Sequence, residues 1–559
     1  MATLTRRQTV QCSFLSVGAI AMGPSLIFPR LGPDFPVHAP GTTYDSTIER
    51  KGWFGYRRLG EDRPYPLVVR SDLAAAGKSR AARRMPKATV VQLTDLHFVD
   101  VQNPLRFEFL DHRTGTGHRP QELLGPFGAT ALVQKINQLQ VGPLTGRSID
   151  AVMTTGDNTD NQSGTELECL LSVLAGGTVR PDSGGDHFEG VAGSGLWEYW
   201  QPESTAMDRY KDAGFPTIPG LLAAAMRSFV SPGLAVPWLL TMGNHDDTVL
   251  GTLATRPYVE DWTAGGRKIF SARCDETLFL AELASRPAAL SDPQPEPREV
   301  ADLLETVAAL GETRTVVPDE RRRPFTGSEY VDALRSERFT GAGPVGHGYG
   351  PEADGSRLYY RYWLSPDVLA ISLDTTNQAG GADGSVGAAQ LEWLERTLLE
   401  HADEYVLVFS HHPSYCMDNL APDPRSPEES RHSGDEVLDL LHRHPNVLAW
   451  INGHCHRNKI SARRHADPRR SFWEINTASH VDAPQQARVI EVASNGDGTV
   501  SLFTTMLDAD APLRPSYDDL TPENLAGIFR EVAYNDLTFR DRRGSVEDRN
   551  TELLLADPL

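Results

Sequence analysis

Six short apolar runs constrain this chain most, because each breaks off into a polar cluster. Residues 88–93 run into Thr94-Asp95-Leu96-His97, 149–154 into Gly156-Asp157, and 236–242 into Gly243-Asn244-His245-Asp246. Residues 368–373 lead to Asp374, Tyr405–Phe409 to Ser410-His411-His412, and 447–451 to Asn452-Gly453-His454. Apolar runs of this length without alternation predict strands buried on both faces. Between them, 129–139 and 391–399 show helical spacing, and 433–441 opens on Ser-Gly-Asp-Glu, a helix-start signal. Strands alternating with helices predict a layered α/β core. In such cores ligands gather at the carboxyl ends of strands, which is where every cluster falls.

The 559 residues exceed one domain by the soft prior of about 150 residues, but a single elaborated core also accommodates them. Intervals 161–235 and 247–360 are too long for simple crossovers and read as folded insertions or caps. The core is expected over 88–510, after a signal-like stretch over 1–30 and an irregular lead-in over 31–87. A polar, partly helical C-terminal extension, 511–559, carries no sequence-assignable role. Net charge is −21, from 54 basic and 75 acidic side chains. So acidic a body repels a phosphate backbone, which argues against nucleic acid as a partner. An anionic substrate needs a local positive centre, and bound metal can supply one.

The five cysteines, Cys12, Cys169, Cys274, Cys416 and Cys455, form no C-x-x-C pair and are too sparse for a disulfide framework. Arg6-Arg7 precedes a weakly apolar, uncharged run from Cys12 to Pro29, a pattern that resembles a twin-arginine export signal. No clean A-x-A cleavage site follows it. The expected location is therefore outside the cytoplasmic membrane, in the envelope or secreted, with no stable span other than an uncleaved signal. Gly77-Lys78-Ser79 is not a P-loop, because Asp72 stands where its first glycine belongs. No G-x-S-x-G elbow supports a serine hydrolase.

In order, the strand-end clusters contain D-x-H (Asp95, His97), G-D-x-x-D (Asp157, Asp160), G-N-H-D (Asn244, His245), a terminal His411, and G-H-x-H (His454, His456). A D-x-H triplet alone means nothing in a chain this long, but the ordered set is far beyond accident. Together these motifs resemble the calcineurin-like metallophosphoesterase superfamily and, with the paired arginines, its exported bacterial members. The resemblance implies a four-layer αββα sandwich of mixed sheets with long insertions. It also implies two divalent or trivalent metal ions, for which mixed N/O donors suit Fe, Mn or Zn. Asp157 would bridge them, with Asp95, His97 and His456 on one and Asn244, His411 and His454 on the other. A metal-bound hydroxide would attack a small phosphomonoester or phosphodiester. His245 would be the general acid, oriented by Asp160 and with its pKa raised by that carboxylate.

Some neighbours read as bland. His412 points away from His411 and fits a supporting role, Cys455 is a spacer between ligands, and Asp246 is structural. Asn161 replaces the phosphate-gripping arginine of the superfamily's protein phosphatases, which argues against that activity. His347 and Tyr349 sit on a glycine-rich stretch best read as an ordinary loop. The competing functional class is an exported non-catalytic metal-binding or scaffold protein on the same fold. It predicts an eroded ligand set, whereas every expected donor is present.

Overall fold

The computed structural model describes residues 26–27, 41–111, 117–254, 257–271 and 297–559. Arg6, Arg7, Cys12 and Cys274 lie outside the described residues. Along the chain, the strands of the two large sheets begin with β1 (Leu26–Ile27), β2 (Leu67–Arg70), β3 (Met85–Leu93), β4 (Ala151–Thr154) and β5 (Trp238–Leu239). There follow β6 (Tyr360–Ser365), β7 (Val368–Ser372), β8 (Tyr405–Phe409), β9 (Val447–Asn452), β10 (Lys459–Arg463) and β11 (Phe472–Asn476). The last are β12 (Gln486–Ser494), β13 (Thr499–Asp508) and β14 (Thr551–Ala556).

One sheet has eight strands in the order β1-β2-β14-β13-β12-β3-β4-β5, the other six in the order β6-β7-β8-β9-β11-β10. Both are mixed. β3, β4 and β5 run parallel in the first, and β7, β8, β9 and β11 run parallel in the second. Every residue of β7, β8, β9 and β11 is buried, which is why the first three read as apolar runs, while β11 buries Glu474 and Asn476 among its apolar residues. Alternate side chains divide between two cores. Ala370, Leu407, Phe409, Ala449, Ile451 and Ile475 share an inter-sheet core with Val90, Ala151, Met153 and Ile490, which lie on one face of the first sheet. Leu369, Ile371, Val406, Val408 and Trp450 face the other way, toward helices.

The principal helices are α1 (Gly125–Leu139), α2 (Gly164–Ala175), α3 (Ala388–Glu400), α4 (Gly434–Leu441) and α5 (Pro522–Asn535). Leu394 and Leu398 of α3 and Val437 and Leu441 of α4 cover the six-stranded sheet. Phe127 and Ile136 of α1 and Ile528, Phe529 and Val532 of α5 join the core of the eight-stranded sheet. The result is a four-layer α/β/β/α sandwich. α4 starts where the sequence predicts: the Glu436 N–H donates to the Ser433 hydroxyl, and the Glu436 carboxylate accepts the Ser433 N–H at 2.8 Å.

The 511–559 segment belongs to this core, since α5 packs on it and β14 lies between β2 and β13. The lead-in likewise supplies β2 and a hairpin of Thr47–Arg50 with Leu59–Asp62. The described parts of the two long intervals are folded. They carry α2, helices Pro257–Ala264, Pro297–Leu310 and Gly327–Arg335, and two small antiparallel two-stranded sheets. They are tied together where the Gly184 N–H meets the Asp319 carboxylate at 3.0 Å and the Phe325 N–H meets the Gln162 carbonyl at 2.9 Å. Among the described residues no helix is long and apolar enough to cross a membrane.

Candidate metal centre

Because β3, β4, β5, β8 and β9 end on the same edge of the sandwich, their outgoing loops meet. The loops are bent hard. Asp95, His97, Asp157, His454 and His456 all have left-handed φ between 42° and 68°, a conformation non-glycine residues adopt only when the surroundings impose it. Close approach also fixes two motif glycines. A Cβ on Gly243 would strike the Asp157 backbone and carboxylate, and one on Gly453 would strike Thr94 and Asp95.

Asp95, His97, Asp157, Asn244, His411, His454 and His456 converge, and they fall into two sets. His456 Nε2 lies 3.2 Å from His97 Nε2 and 3.3 Å from Asp95 Oδ1. His411 Nε2 lies 2.9 Å from Asn244 Oδ1 and 3.2 Å from His454 Nδ1. Asp157 Oδ2 stands between the sets, 3.6 Å from His97 Nε2 and 3.2 Å from His411 Nε2. Its other oxygen accepts the His245 N–H at 2.9 Å.

The donor set fits a pair of cations. Metal–nitrogen bonds of about 2.1 Å at tetrahedral to octahedral angles put neighbouring ligand atoms roughly 3.0–3.4 Å apart. Imidazole nitrogens held edge to edge at 3.2 Å, with carboxylates around them, need a positive charge between them. The electrostatics of the polypeptide alone state the same demand. Burial pushes the Asp157 carboxyl up, but His411 and His245 outweigh it and hold it well below the usual carboxylate range. Burial likewise lowers the His411 imidazole, yet Asp157 and Asp95 lift it to about 9.

The far nitrogens of three rings are anchored. His97 Nδ1 bonds the Asp160 carboxylate at 2.8 Å, His411 Nδ1 the Thr155 carbonyl at 2.8 Å, and His456 Nδ1 the Asp482 carboxylate at 2.6 Å. Such partners fix the tautomer and leave the other nitrogen's lone pair directed inward. Asp482 is the functional neighbour that sequence reasoning misses. It lies on the turn between β11 and β12, in no recognisable motif, and only a structure places it behind His456.

Asp160 departs from its expected part. Its carboxylate is taken by His97 and by the buried guanidinium of Arg106, and is 3.7 Å from His245 Nδ1. His245 Nδ1–H donates instead to the Asp160 backbone carbonyl at 2.8 Å. The expected rise in the His245 pKa is therefore reversed: burial lowers it, and His97 adds to that against the pull of Asp157 and Asp160. His245 is half-buried at the edge of a cleft of about 440 Å³ lined by His97, Asp157, Asn244, His454 and His456, with Asp95 and His411 buried behind them.

Asp246 is an internal brace, accepting from Gly243, Asn158 and Thr159. His412 is buried between the Thr375 hydroxyl at 2.8 Å and the Ala382 carbonyl at 3.0 Å, and stands near His411 and His454. Cys455 Sγ lies 3.5 Å from Cys416 Sγ. His347 and Tyr349 are buried away from the cleft, with the His347 ring stacked on Trp238 behind β5.

Three relatives match parts of the chain. A probable cyclic nucleotide phosphodiesterase of Synechococcus sp. is 28% identical over 106 residues, 18% of this chain and 38% of that one. A probable glycerophosphodiester phosphodiesterase of Arcobacter nitrofigilis is 32% identical over 107 residues, again 18% and 38%. A manganese-dependent ADP-ribose/CDP-alcohol diphosphatase of Xenopus tropicalis is 33% identical over 79 residues, 14% of this chain and 21% of that one. The chain thus spans well under half the length of these relatives. No family profile matches it.

Proposed function

We propose that this chain is a metal-dependent phosphoric ester hydrolase of the metallophosphoesterase superfamily, with a dinuclear centre of Fe, Mn or Zn. The observation that carries it is Asp157 Oδ2, shared between two sets of three donors in one cleft. The relatives' names, two phosphodiesterases and a diphosphatase, favour diesters over monoesters. The paired arginines of the sequence support export.

Asp95, His97, Asp157 and His456 would hold one ion, and Asp157, Asn244, His411 and His454 the other. Bound there, a cation pair lowers the pKa of water and polarises the phosphoryl group. The polypeptide does the rest. Asp160, Thr155 and Asp482 hold three imidazoles in register, so the donors need little reorganisation. With Nδ1–H tied to the Asp160 carbonyl, His245 turns Nε2 to the cleft, and in its imidazolium form it would give the leaving oxygen the Nε2 proton.

Metal-loaded protein should hydrolyse bis-p-nitrophenyl phosphate, and His245→Ala should keep both metals while losing roughly 10²–10⁴-fold in kcat. No turnover by metal-replete protein on that ester, on p-nitrophenyl phosphate and on a broad diester panel would overturn the reading. Loss of metal from His245→Ala would overturn the acid assignment alone.

A further inference from the structure

The cleft is lined by three arginines as well as five of the donors: Arg106, Arg119 and Arg542. Arg106 is spent, fully buried against Asp160 and Glu122. Arg119 and Arg542 instead share one carboxylate. Arg119 Nε lies 2.9 Å from Asp482 Oδ1, and an Arg542 terminal nitrogen lies 3.2 Å from Asp482 Oδ2, the same oxygen that His456 Nδ1 occupies at 2.6 Å. Among the described residues neither guanidinium has a second carboxylate within ion-pair distance, so the two share the single carboxylate of Asp482. Arg542 is the exposed member, 24% accessible against 8% for Arg119. Its backbone is pinned to the site, because the Asn458 N–H, two residues beyond His456, donates to the Arg542 carbonyl at 2.9 Å.

Among the described residues lining the cleft, no further guanidinium is left for this part. Asn161 is buried and bonded to Glu166, outside the cleft lining. Phe107 and Leu250, both half-buried, give the same cleft an apolar wall. Resting on the phosphoesterase reading above, we propose that Arg542, backed by Arg119, is an anion subsite. It holds the second phosphoryl group of a pyrophosphate-linked diester while the first sits at the donor cluster. A guanidinium fork suits a phosphoryl oxygen pair, and the apolar wall suits an organic substituent. In the reaction, water's oxygen forms the new P–O bond and the bridging P–O bond breaks. One water proton goes to the departing phosphoryl oxygen and the other to solvent, giving two phosphomonoesters.

The test uses metal-loaded, full-length protein and two ligands with the same nucleosides. Diadenosine pyrophosphate carries two phosphoryl groups and adenylyl-adenosine carries one. A methylene-bridged analogue of the former reads binding by calorimetry without turnover. Arg542→Ala should weaken the analogue roughly tenfold, the loss of one charge-assisted contact. The rise in KM should be several-fold larger for diadenosine pyrophosphate than for adenylyl-adenosine, and Arg542→Lys should restore part of the difference. Equal losses on both ligands, or no loss in analogue binding, would overturn the subsite. A fall in metal stoichiometry would also overturn it, making Arg542 a prop for Asp482 and His456. Failure of the wild type to turn over any ester strikes the phosphoesterase reading instead, and calorimetry still reads the subsite.

Discussion

At the scale of single residues, the centre is organised by what lies behind the donors. Asp482 accepts from His456, Arg119 and Arg542, and these partners outweigh its burial, holding its carboxyl well below the usual range. Its charge makes the His456 ring a stronger donor and fixes the ring's tautomer. Asp482→Asn should therefore weaken one ion about 10–100-fold. That ion is the one held by Asp95, His97 and His456, and the other should be nearly unaffected. Metal titration followed by elemental analysis checks it; parallel loss of both ions would mean Asp482 supports the whole loop and not one ring. The motif residues themselves were legible in the sequence, since type and order identify them. Asp160 shows the limit. The resemblance gives it to His245, but its carboxylate is shared by His97 and by Arg106, a partner in no motif and 54 residues upstream.

At the scale of elements, strands were legible where apolar runs met motifs. The expected 88–93, Tyr405–Phe409 and 447–451 correspond closely to β3, β8 and β9. The long antiparallel pair β12–β13 was not, because its buried positions include Gln486, Arg488, Glu491, Thr504 and Thr505. Three of these groups bond partners outside the pair: Arg488 bonds Thr477 and Asn458, Thr504 donates to the Arg549 carbonyl, and Glu491 accepts the Thr145 N–H at 2.7 Å. Hydropathy cannot see a buried polar group whose partner is remote in sequence. The two insertions were legible as folded but not as joined. Asp319 joins them, capping Glu320–Arg322 while accepting the Gly184 N–H. Burial raises its carboxyl, but Arg321 and Gly184 outweigh that and hold it at about 2. Its contribution is therefore present above pH 3.8 and lost as pH falls toward 2. Asp319→Ala should cost about 0.5–2 kcal/mol as a lost cap, read as faster amide exchange in both insertions at neutral pH. That difference from wild type should shrink below pH 3, where the wild-type carboxyl is itself losing charge. Exchange confined to one insertion would show that the two do not open together.

At the scale of the whole molecule, the centre should tie stability to metal. With the cations removed, protons on the imidazoles must take their place among Asp95 and Asp157. His411, lifted to about 9 against an ordinary 6.5, is the clearest case. A raised folded pKa stabilises fully below pH 6.5, and that stabilisation is lost as pH rises through 9. Chelated protein should accordingly lose stability between pH 6.5 and 9, whereas loaded protein, whose His411 is held deprotonated by its ligand bond, should not show that slope. At pH 8 the gap should be large. Two ions, each at about 100 times its dissociation constant, contribute ~2.7 kcal/mol apiece. At ~2.1 cal/mol/K of unfolding entropy per residue, this lowers Tm by about 5 °C on chelation. Scanning calorimetry of loaded and chelated protein at several pH values measures both effects. Asp157→Ala, which removes the carboxylate common to both donor sets, should abolish the response to chelator. If that variant still lost several degrees on chelation, the ions would be held elsewhere.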